Sequence, residues 1–566
     1  MSDDAPAMSF EAACATATGP DGPFPIVEQE LAGRQTKIFR NAPPALRHLF
    51  AVARTRADQD FLVYEDERWT FGDVMQKVDA TAALLVSRYG IGRGDRVAIA
   101  MRNYPEFITT FAAVTSVGGI AVLMNAWWTR EEMDYGLEDS GAKLLVADAE
   151  RIERAYPAMD RLNFRAVAVR MDDPPVGVDR LTDVWRLGDP MPEVEVGPED
   201  DATILYTSGT TGHPKGAVST NRAVINALVA FACRTAVNRM VYPPKEQHPF
   251  PTSFILVVPL FHVTGLVPVM LSCFAGGFKL VMMYKWSPER ALELIEREHV
   301  TQFVGVPTQS FDLLESPAFS KHDTSSLANV GGGGAPAPPE LVRRIDKGFK
   351  RGAPGIGYGM TETNAYGPGN SGPDYLRKPR STGRTIPIMD VKIAGDDGRE
   401  LPRGGMGEIW FRGPMLIRGY WNKPDATAET IVDGWLRSGD IGRMDEEGFV
   451  YVEDRVKDMV LRAGENVYCA EVEAAIYEHP AVHEAAVFGL PHERLGEEVA
   501  CAVVPKRGAD LDPEALGRHL AEHIAPFKIP TAWEVRSEPL PRNASGKILK
   551  RGLRDEIVAR RARSAS

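Results

Sequence analysis

The eleven residues Tyr206-Thr-Ser-Gly-Thr-Thr-Gly-His-Pro-Lys-Gly216 hold three glycines, three threonines, one serine and one lysine. A loop of this composition presents backbone N–H groups and hydroxyls that can curl around phosphate oxygens. Lys215 adds a point charge for the same anion. The spacing is Gly-x-x-Gly-x-x-Lys-Gly, whereas a Walker A loop needs Gly-x-x-x-x-Gly-Lys followed by Ser or Thr. Gly216 follows the lysine here, so a P-loop NTPase is excluded. A flexible linker has the same composition. Against it, Ala202-Thr-Ile-Leu-Tyr206 just before the loop reads as a buried strand.

Other segments carry groups suited to a nucleotide. Gly357-Tyr-Gly-Met-Thr-Glu-Thr363 sets an aromatic ring, a hydroxyl and a carboxylate within five residues. Tyr358 suits purine stacking, and Glu362 suits Mg²⁺, which takes one or two carboxylates plus phosphate oxygens. Trp435-Leu-Arg-Ser-Gly-Asp440 offers Asp440 to a ribose diol. Asp454-Arg-Val-Lys-Asp458 is a charged pivot holding Arg455 and Lys457, and Pro541-Arg-Asn-Ala-Ser-Gly-Lys547 presents a lysine on a Gly/Ser loop. Taken singly, these segments read more readily as turns and surface charges.

The elements that would position these groups alternate between strand and helix. A hairpin is expected from 61–64 and 69–71, then a helix over 72–89, a strand over 95–100, a helix over 105–117 and strands over 119–123 and 142–146. The pattern resumes after the glycine-rich loop with a helix over 222–236 and strands near 255–259 and 301–306. Such alternation implies βαβ units and a largely parallel sheet. Beyond about Ser381, short strands at 391–393, 407–411 and 448–452 are separated by Gly, Pro and Asp, which predicts a small barrel or β-subdomain. Residues 460–566 read as a compact α+β unit, with helices over 472–478 and 513–524 and strands over 482–489 and 499–504. The basic stretch 551–563 reads as a solvated helix face or frayed tail.

The 566 residues allow two to four structural units. A net charge of −12 argues against nucleic acid as the main ligand. The five cysteines are scattered without a Cys-x-x-Cys, so neither zinc nor a disulfide framework is indicated, and a reducing, cytoplasmic setting fits. Residues 1–35 lack the basic start and apolar core of a secretory signal. Residues 254–278 carry no Asp, Glu, Lys or Arg, but Pro259, Gly265, Pro268, Gly276 and Gly277 interrupt them, so strand, turn, helix and strand are expected rather than a membrane span. Peripheral contact with a membrane stays open, and a monomer or homodimer is expected.

In chain order, the phosphate loop, Tyr-Gly-Met-Thr-Glu, Ser-Gly-Asp, Asp-Arg-Val-Lys-Asp and Pro-Arg-Asn-x-Ser-Gly-Lys resemble the adenylate-forming superfamily of acyl-CoA synthetases, luciferases and peptide-synthetase adenylation domains. The resemblance runs from about Phe61 to Arg551. It implies an α/β fold with a large N-terminal domain of two α/β subdomains plus a small β-barrel (1–454), a hinge (455–459) and a small mobile α+β C-terminal domain (460–566). It implies ATP, Mg²⁺ and coenzyme A as cofactors and a small carboxylic acid as substrate. By resemblance, Thr207, Ser208, Gly209, Thr210, Thr211, Gly212 and Lys215 cradle phosphates, Thr361 touches phosphate and Glu362 positions Mg²⁺. Tyr358 stacks on adenine beside Gly334-Ala335-Pro336, and Asp440 and Arg455 hold the ribose. Lys547 bridges the carboxylate and α-phosphate during adenylation, Lys457 occupies the hinge, and Gly464 belongs to a loop facing the pantetheine tunnel. The usual Gly-Gly-Glu-Asn reads Ala463-Gly-Glu-Asn466 here, and Cys469 stands where proline is common.

The resemblance places His262 at the carboxylate end of an acyl pocket lined by 254–265, 304–308 and 331–334. A hydrogen-bonded core histidine is the plainer reading. These segments are apolar, so a second carboxylate or an ammonium would be costly to bury there. Amino-acid adenylation domains supply an aspartate near Val257-Val-Pro-Leu-Phe-His262, and none is present. A medium- or long-chain fatty acid is the expected substrate, with a benzoate- or cinnamate-like aryl acid as the alternative. A ligase loading a carrier protein, a luciferase-like oxygenase and a silent binding protein also remain open.

Overall fold

Uncharged runs of aliphatic and β-branched residues form the centres of two eight-stranded sheets. The computed structural model describes residues 5–31, 33–207, 214–455, 458–462, 465–492, 494–543 and 546–565. In the first sheet, Ile120–Leu123, Arg96–Ala100, Leu144–Asp148, Arg165–Val169 and Val178–Arg180 lie side by side in parallel. Intervening helices return the chain across the sheet, as parallel pairing requires. Asp201–Thr207 adds in parallel to Ile120–Leu123, after which Lys215–Thr220 and Gly419–Tyr420 make an antiparallel edge.

The second sheet runs Ala353–Gly357, Asn329–Gly333, Gln302–Gly305, Ser253–Leu256, Lys279–Met282 and Asp60–Tyr64, all parallel. Gly369–Ser371 and Glu67–Thr70 close its edges in antiparallel fashion. The helix Pro105–Ser116 is buried along its whole length, as expected of a helix held between layers. The apolar stretch 254–278 forms the expected strand, turn and helix, and the strand Lys279–Met282 follows it. The one described helix long and apolar enough to cross a membrane is Asn221–Val241, and half of its most apolar window is buried inside the fold.

The β-subdomain is a five-stranded antiparallel sheet of Asp390–Ala394, Gly407–Arg412, Trp435–Met444, Ile431–Val432 and Val450–Arg455. The C-terminal unit is also built on five strands. Its two long strands, Val482–His492 and Gly496–Pro505, are covered on both faces. Ala485, Val487, Cys501 and Val503 face the helices Cys469–Tyr477 and Pro513–Ala521. Their neighbours Ala486, Phe488, Ala500 and Ala502 face Leu553 and Ile557 of the last helix, Lys550–Ala565. The period-two pleat sorts these residues. The basic tail is therefore helical, with one solvated face and one buried stripe.

The first 45 residues, on which the sequence patterns are silent, act as a clamp. Phe10–Thr18 packs along Asn221–Val241 and is followed by the hairpin Ile26–Leu31 with Arg34–Phe39. Asn226 Oδ1 accepts from the Phe39 amide at 3.1 Å, Asn221 Oδ1 accepts from Leu46 at 3.0 Å, and Lys37 pairs with Asp390 at 2.8 Å. The segment ties the α/β core to the β-subdomain.

Candidate active site

Parallel sheets open their ligand crevices at the carboxyl ends of their strands, and most of the predicted residues lie there. Thr207 ends Asp201–Thr207, and its Oγ1 donates to the Lys215 carbonyl at 3.4 Å across the antiparallel pair. The loop between them holds Ser208, Gly209, Thr210, Thr211 and Gly212, which lie outside the described residues. The edge strand next to Lys215–Thr220 brings Tyr420 into the site: Trp421 N donates to the Gly216 carbonyl and Arg418 N to that of Val218, both at 2.8 Å. Tyr420 then does two things. Its ring lies under the Lys215 ammonium, 4.9 Å from Nζ to centroid, and its hydroxyl donates to Glu362 Oε1 at 2.7 Å.

Glu362 is 7% exposed. Burial pushes its carboxyl above the usual range, opposed by the Tyr420 hydrogen bond and by the charges of Arg455 and Lys215. The only group that sequence spacing offered for Mg²⁺ is thus a buried, oriented oxygen donor. Among the described residues no cluster of three metal-ligating side chains exists. A single carboxylate with phosphate oxygens beside it is what Mg²⁺ takes in nucleotide sites, so the donor set fits this ion. Thr361 begins the short helical turn Thr361–Thr363, beside Glu362.

Tyr358 follows Ala353–Gly357, and Gly334-Ala335-Pro336 follows the neighbouring Asn329–Gly333. A Cβ on Gly333 would sit 3.2 Å from the Gly357 carbonyl, so the two strand ends approach closely. Gly334 turns the chain away at φ +75°, where glycine is favoured. The Tyr358 ring leans on Phe411 at 5.6 Å and keeps part of its surface open. Its hydroxyl donates to Asp440 Oδ2 at 2.5 Å. Arg455 Nε stands 3.4 Å from the other oxygen, Oδ1. Burial raises the Asp440 carboxyl, and the Arg455 charge and the tyrosine hydrogen bond oppose that rise. A ring face, a carboxylate and a guanidinium so arranged suit a nucleoside.

Lys547 arrives from the other end of the chain. Asn543 Oδ1 accepts from the Lys547 amide and the Asn543 amide donates to the Lys547 carbonyl, both at 2.9 Å. Gly546, at φ +84°, presses on Val306: a Cβ there would be 2.9 Å from Val306 Cγ2. Burial and the Arg455 charge lower the Lys547 ammonium to about 8, against the pull of Asp458 and Asp440. The lysine therefore shares the electrostatic environment of the nucleoside residues. Lys457 and Gly464 lie outside the described residues. Beside the pivot, Asp454 accepts from the Arg455 amide at 2.7 Å and also from the amide of Cys469. Cys469 itself is fully buried, with its thiol on the Asp458 carbonyl at 3.0 Å, in a packing role.

His262 lies beyond Ser253–Leu256 at the same sheet edge. Its Nδ1 accepts from the Thr264 amide at 3.3 Å, which puts the ring proton on Nε2. Burial lowers the imidazole to about 4, so the ring is neutral.

The family model of AMP-binding enzymes matches residues 49–421, and that of their C-terminal domain matches 471–547. The chain belongs to the AMP-binding enzymes. It is similar to a long-chain-fatty-acid–CoA ligase of Bacillus subtilis (32% identity over 530 residues, 88% of this chain and 92% of the relative). It is also similar to a feruloyl-CoA synthase of Amycolatopsis (35% over 486 residues, 85% and 92%). Among solved structures it resembles the anthranilate CoA ligase AuaEII bound to anthranoyl-AMP, with a TM-score of 0.83, 25% identity, and coverage of 92% and 98%. The protein is an AMP-forming acid–CoA ligase that uses ATP, Mg²⁺ and coenzyme A on a small carboxylic acid.

Proposed function

We propose that the acid is a medium- or long-chain fatty acid and that the residues above carry its activation. The observation that carries the assignment of roles is Lys547, partly buried from the C-terminal unit and within electrostatic reach of the Asp440–Arg455 pair. The carboxylate of the acid attacks the α-phosphate of ATP, the Pα–O bond to pyrophosphate breaks, and an acyl-adenylate forms. Two anions must meet in this step, so fixed positive charge and orientation supply the rate. Lys547 stabilises the meeting oxygens. Thr207, Lys215, Thr361 and the loop 208–212 hold the phosphates, and Glu362, oriented by Tyr420, takes Mg²⁺. Gly334, Ala335 and Pro336 flank the adenine on Tyr358, and Asp440 and Arg455 hold the ribose. In the second step the coenzyme A thiol attacks the acyl carbonyl. The C–S bond forms, the C–O bond to phosphate breaks, AMP leaves and the thiol proton passes to solvent. A swivel about Lys457 withdraws Lys547 and brings the Gly464 loop to the thiol between the steps. His262, neutral and with Nε2–H as its free donor type, orients the carboxylate.

The fatty-acid reading is supported by the apolar segments 254–265 and 304–306 and by the relative from Bacillus subtilis. An aryl acid is the second reading, favoured by the feruloyl and anthranilate relatives. A cytoplasmic monomer or homodimer completes the proposal, and all five cysteines are buried free thiols, as suits a reducing compartment. The deciding experiment measures AMP release from Mg-ATP across fatty and aryl acids, with and without coenzyme A. CoA-dependent release with fatty acids is expected. Release with aryl acids alone would reassign the substrate, and pyrophosphate formation without CoA-dependent turnover would point to a carrier protein as acceptor.

A further inference from the structure

Arg234 belongs to none of the sequence motifs, yet among the described residues it is a buried charge without a carboxylate partner. It lies on Asn221–Val241, deep enough that burial lowers its pKa, and no carboxylate pairs with it among the described residues. Nη1 donates to the Gly367 carbonyl at 2.7 Å. The guanidinium otherwise lies over two rings, Phe231 at 5.2 Å and Tyr366 at 5.0 Å. Five N–H donors in a planar fork are poorly served by one carbonyl and two ring faces. Burying an unpaired charge costs several kcal/mol, and a lone hydrogen bond to a carbonyl does not require a charged residue. The residue is also not fully buried, since part of its surface remains accessible.

Its position points toward the acyl end of the site. Gly367 lies directly behind Tyr358: a Cβ on Gly367 would be 2.2 Å from the Tyr358 carbonyl. The helix carrying Arg234 packs in the same core as Gly265–Leu271, the segment that follows His262. Arg234 thus touches the loop behind Tyr358 from a helix that also packs on the segment following His262. A second polar group shares the spot. The Tyr366 hydroxyl is fully buried beside the Ile386 backbone and reaches hydrogen-bond geometry with none of the described residues. A fork of N–H donors and a hydroxyl, both short of partners, match the two oxygens of a carboxylate.

We infer that Arg234 receives the far carboxylate of an α,ω-dicarboxylic acid whose near carboxylate is adenylated. The inference rests on the aliphatic-acid reading above and corrects one part of it, the wholly apolar lining, by adding the helix Asn221–Val241 to the pocket. The test compares kcat/KM for matched monoacids and α,ω-diacids of eight to sixteen carbons, by CoA-dependent AMP release, in the wild type and in Arg234→Leu and Arg234→Lys. The expected wild-type result is a preference for the diacid. In Arg234→Leu the diacid-to-monoacid ratio should fall on the order of a hundredfold, because a site built for a polar group is left unpaired without it. Arg234→Lys, with charge but no fork, should fall between. Calorimetric binding of the diacid to wild-type protein, tighter than that of the monoacid, should agree and does not depend on a variant folding. A monoacid preference in the wild type overturns the inference and leaves the fatty-acid reading standing. An unchanged ratio in Arg234→Leu makes Arg234 a clamp for Gly367 and overturns it as well. Turnover with aryl acids alone removes both.

Discussion

At the scale of single residues, the site depends on groups that burial alone would switch off. In the proposed role Lys547 needs its proton to bridge two anions, and burial and the Arg455 charge lower that ammonium to about 8. A lysine acts as a cation below its pKa, so kcat/KM for the adenylation half-reaction should fall as pH rises through about 8. Lys547→Arg should abolish that descent at a lower absolute rate, because arginine stays charged throughout. A descent that persists in the arginine variant would assign it to another group. Lys547→Ala should slow adenylation by roughly 10²–10³-fold, the worth of one preorganised charge contact. It should spare thioester formation from supplied acyl-adenylate. Glu362 poses the opposite problem, since burial favours its neutral form and Mg²⁺ needs the anion. The Tyr420 hydroxyl, at 2.7 Å, offsets that pressure. Tyr420→Phe should therefore raise the Mg²⁺ concentration needed for half-maximal rate and lower kcat/KM for Mg-ATP roughly tenfold, about 1.4 kcal/mol. Glu362→Gln should do the same more severely, and a Mg²⁺ titration that neither variant shifts would remove both residues from the metal site.

At the scale of elements, the C-terminal unit docks through a few contacts on Pro307–Glu315. His483 stands 3.0 Å from Glu315, which also takes Arg344 at 2.8 Å. The two cations hold the Glu315 carboxyl down to about 2, and the carboxylate raises His483 above its ordinary range. Phe311 stacks on Tyr477 at 6.3 Å beside them. The latch is charged below the raised histidine pKa and loosens as pH rises through it. Because it fastens the arrangement that delivers Lys547, His483→Ala should slow adenylation roughly three- to tenfold, the scale of a partly exposed ion pair. Thioester formation should be unchanged or faster, and equal loss of both half-reactions would make the contact merely structural. None of these partners was legible in the sequence, for a physical reason. Alternation of strand and helix is a local property, so a largely parallel sheet could be read from spacing, while its division into two sheets came with the resemblance carried by the motif order. Tyr420 reaches Glu362, and His483 reaches Glu315, only through folding across long stretches of chain. Arg234 was hidden in the same way, inside a helix that looked like ordinary core. The N-terminal clamp escaped because its hairpin, Ile26–Leu31 with Arg34–Phe39, is largely polar and held by Asn221 and Asn226 from a distant helix.

At the scale of the whole molecule, the proposed mechanism asks one chain to present two different faces of its C-terminal unit to one crevice. The structure seats the Lys547 loop on Val306, which the proposal assigns to the first step. If turnover needs that seat to be vacated, a reversible covalent staple across it should separate the two half-reactions. The geometry provides a site. A Cβ placed on Gly546 would be 3.8 Å from the Cβ of Val306, the separation at which a disulfide forms without backbone movement. The five native cysteines are all buried and should not compete. Gly546 has φ +84°, so a cysteine there costs roughly 1–2 kcal/mol of strain, which the folded state should tolerate. The double variant Val306→Cys with Gly546→Cys, once oxidised, should form acyl-adenylate and pyrophosphate in a single turnover and then stall when coenzyme A is added. Reduction should restore CoA-dependent AMP release. A stapled protein that turns over with coenzyme A at its reduced rate would show that both steps run in one arrangement, and the swivel would have to be abandoned.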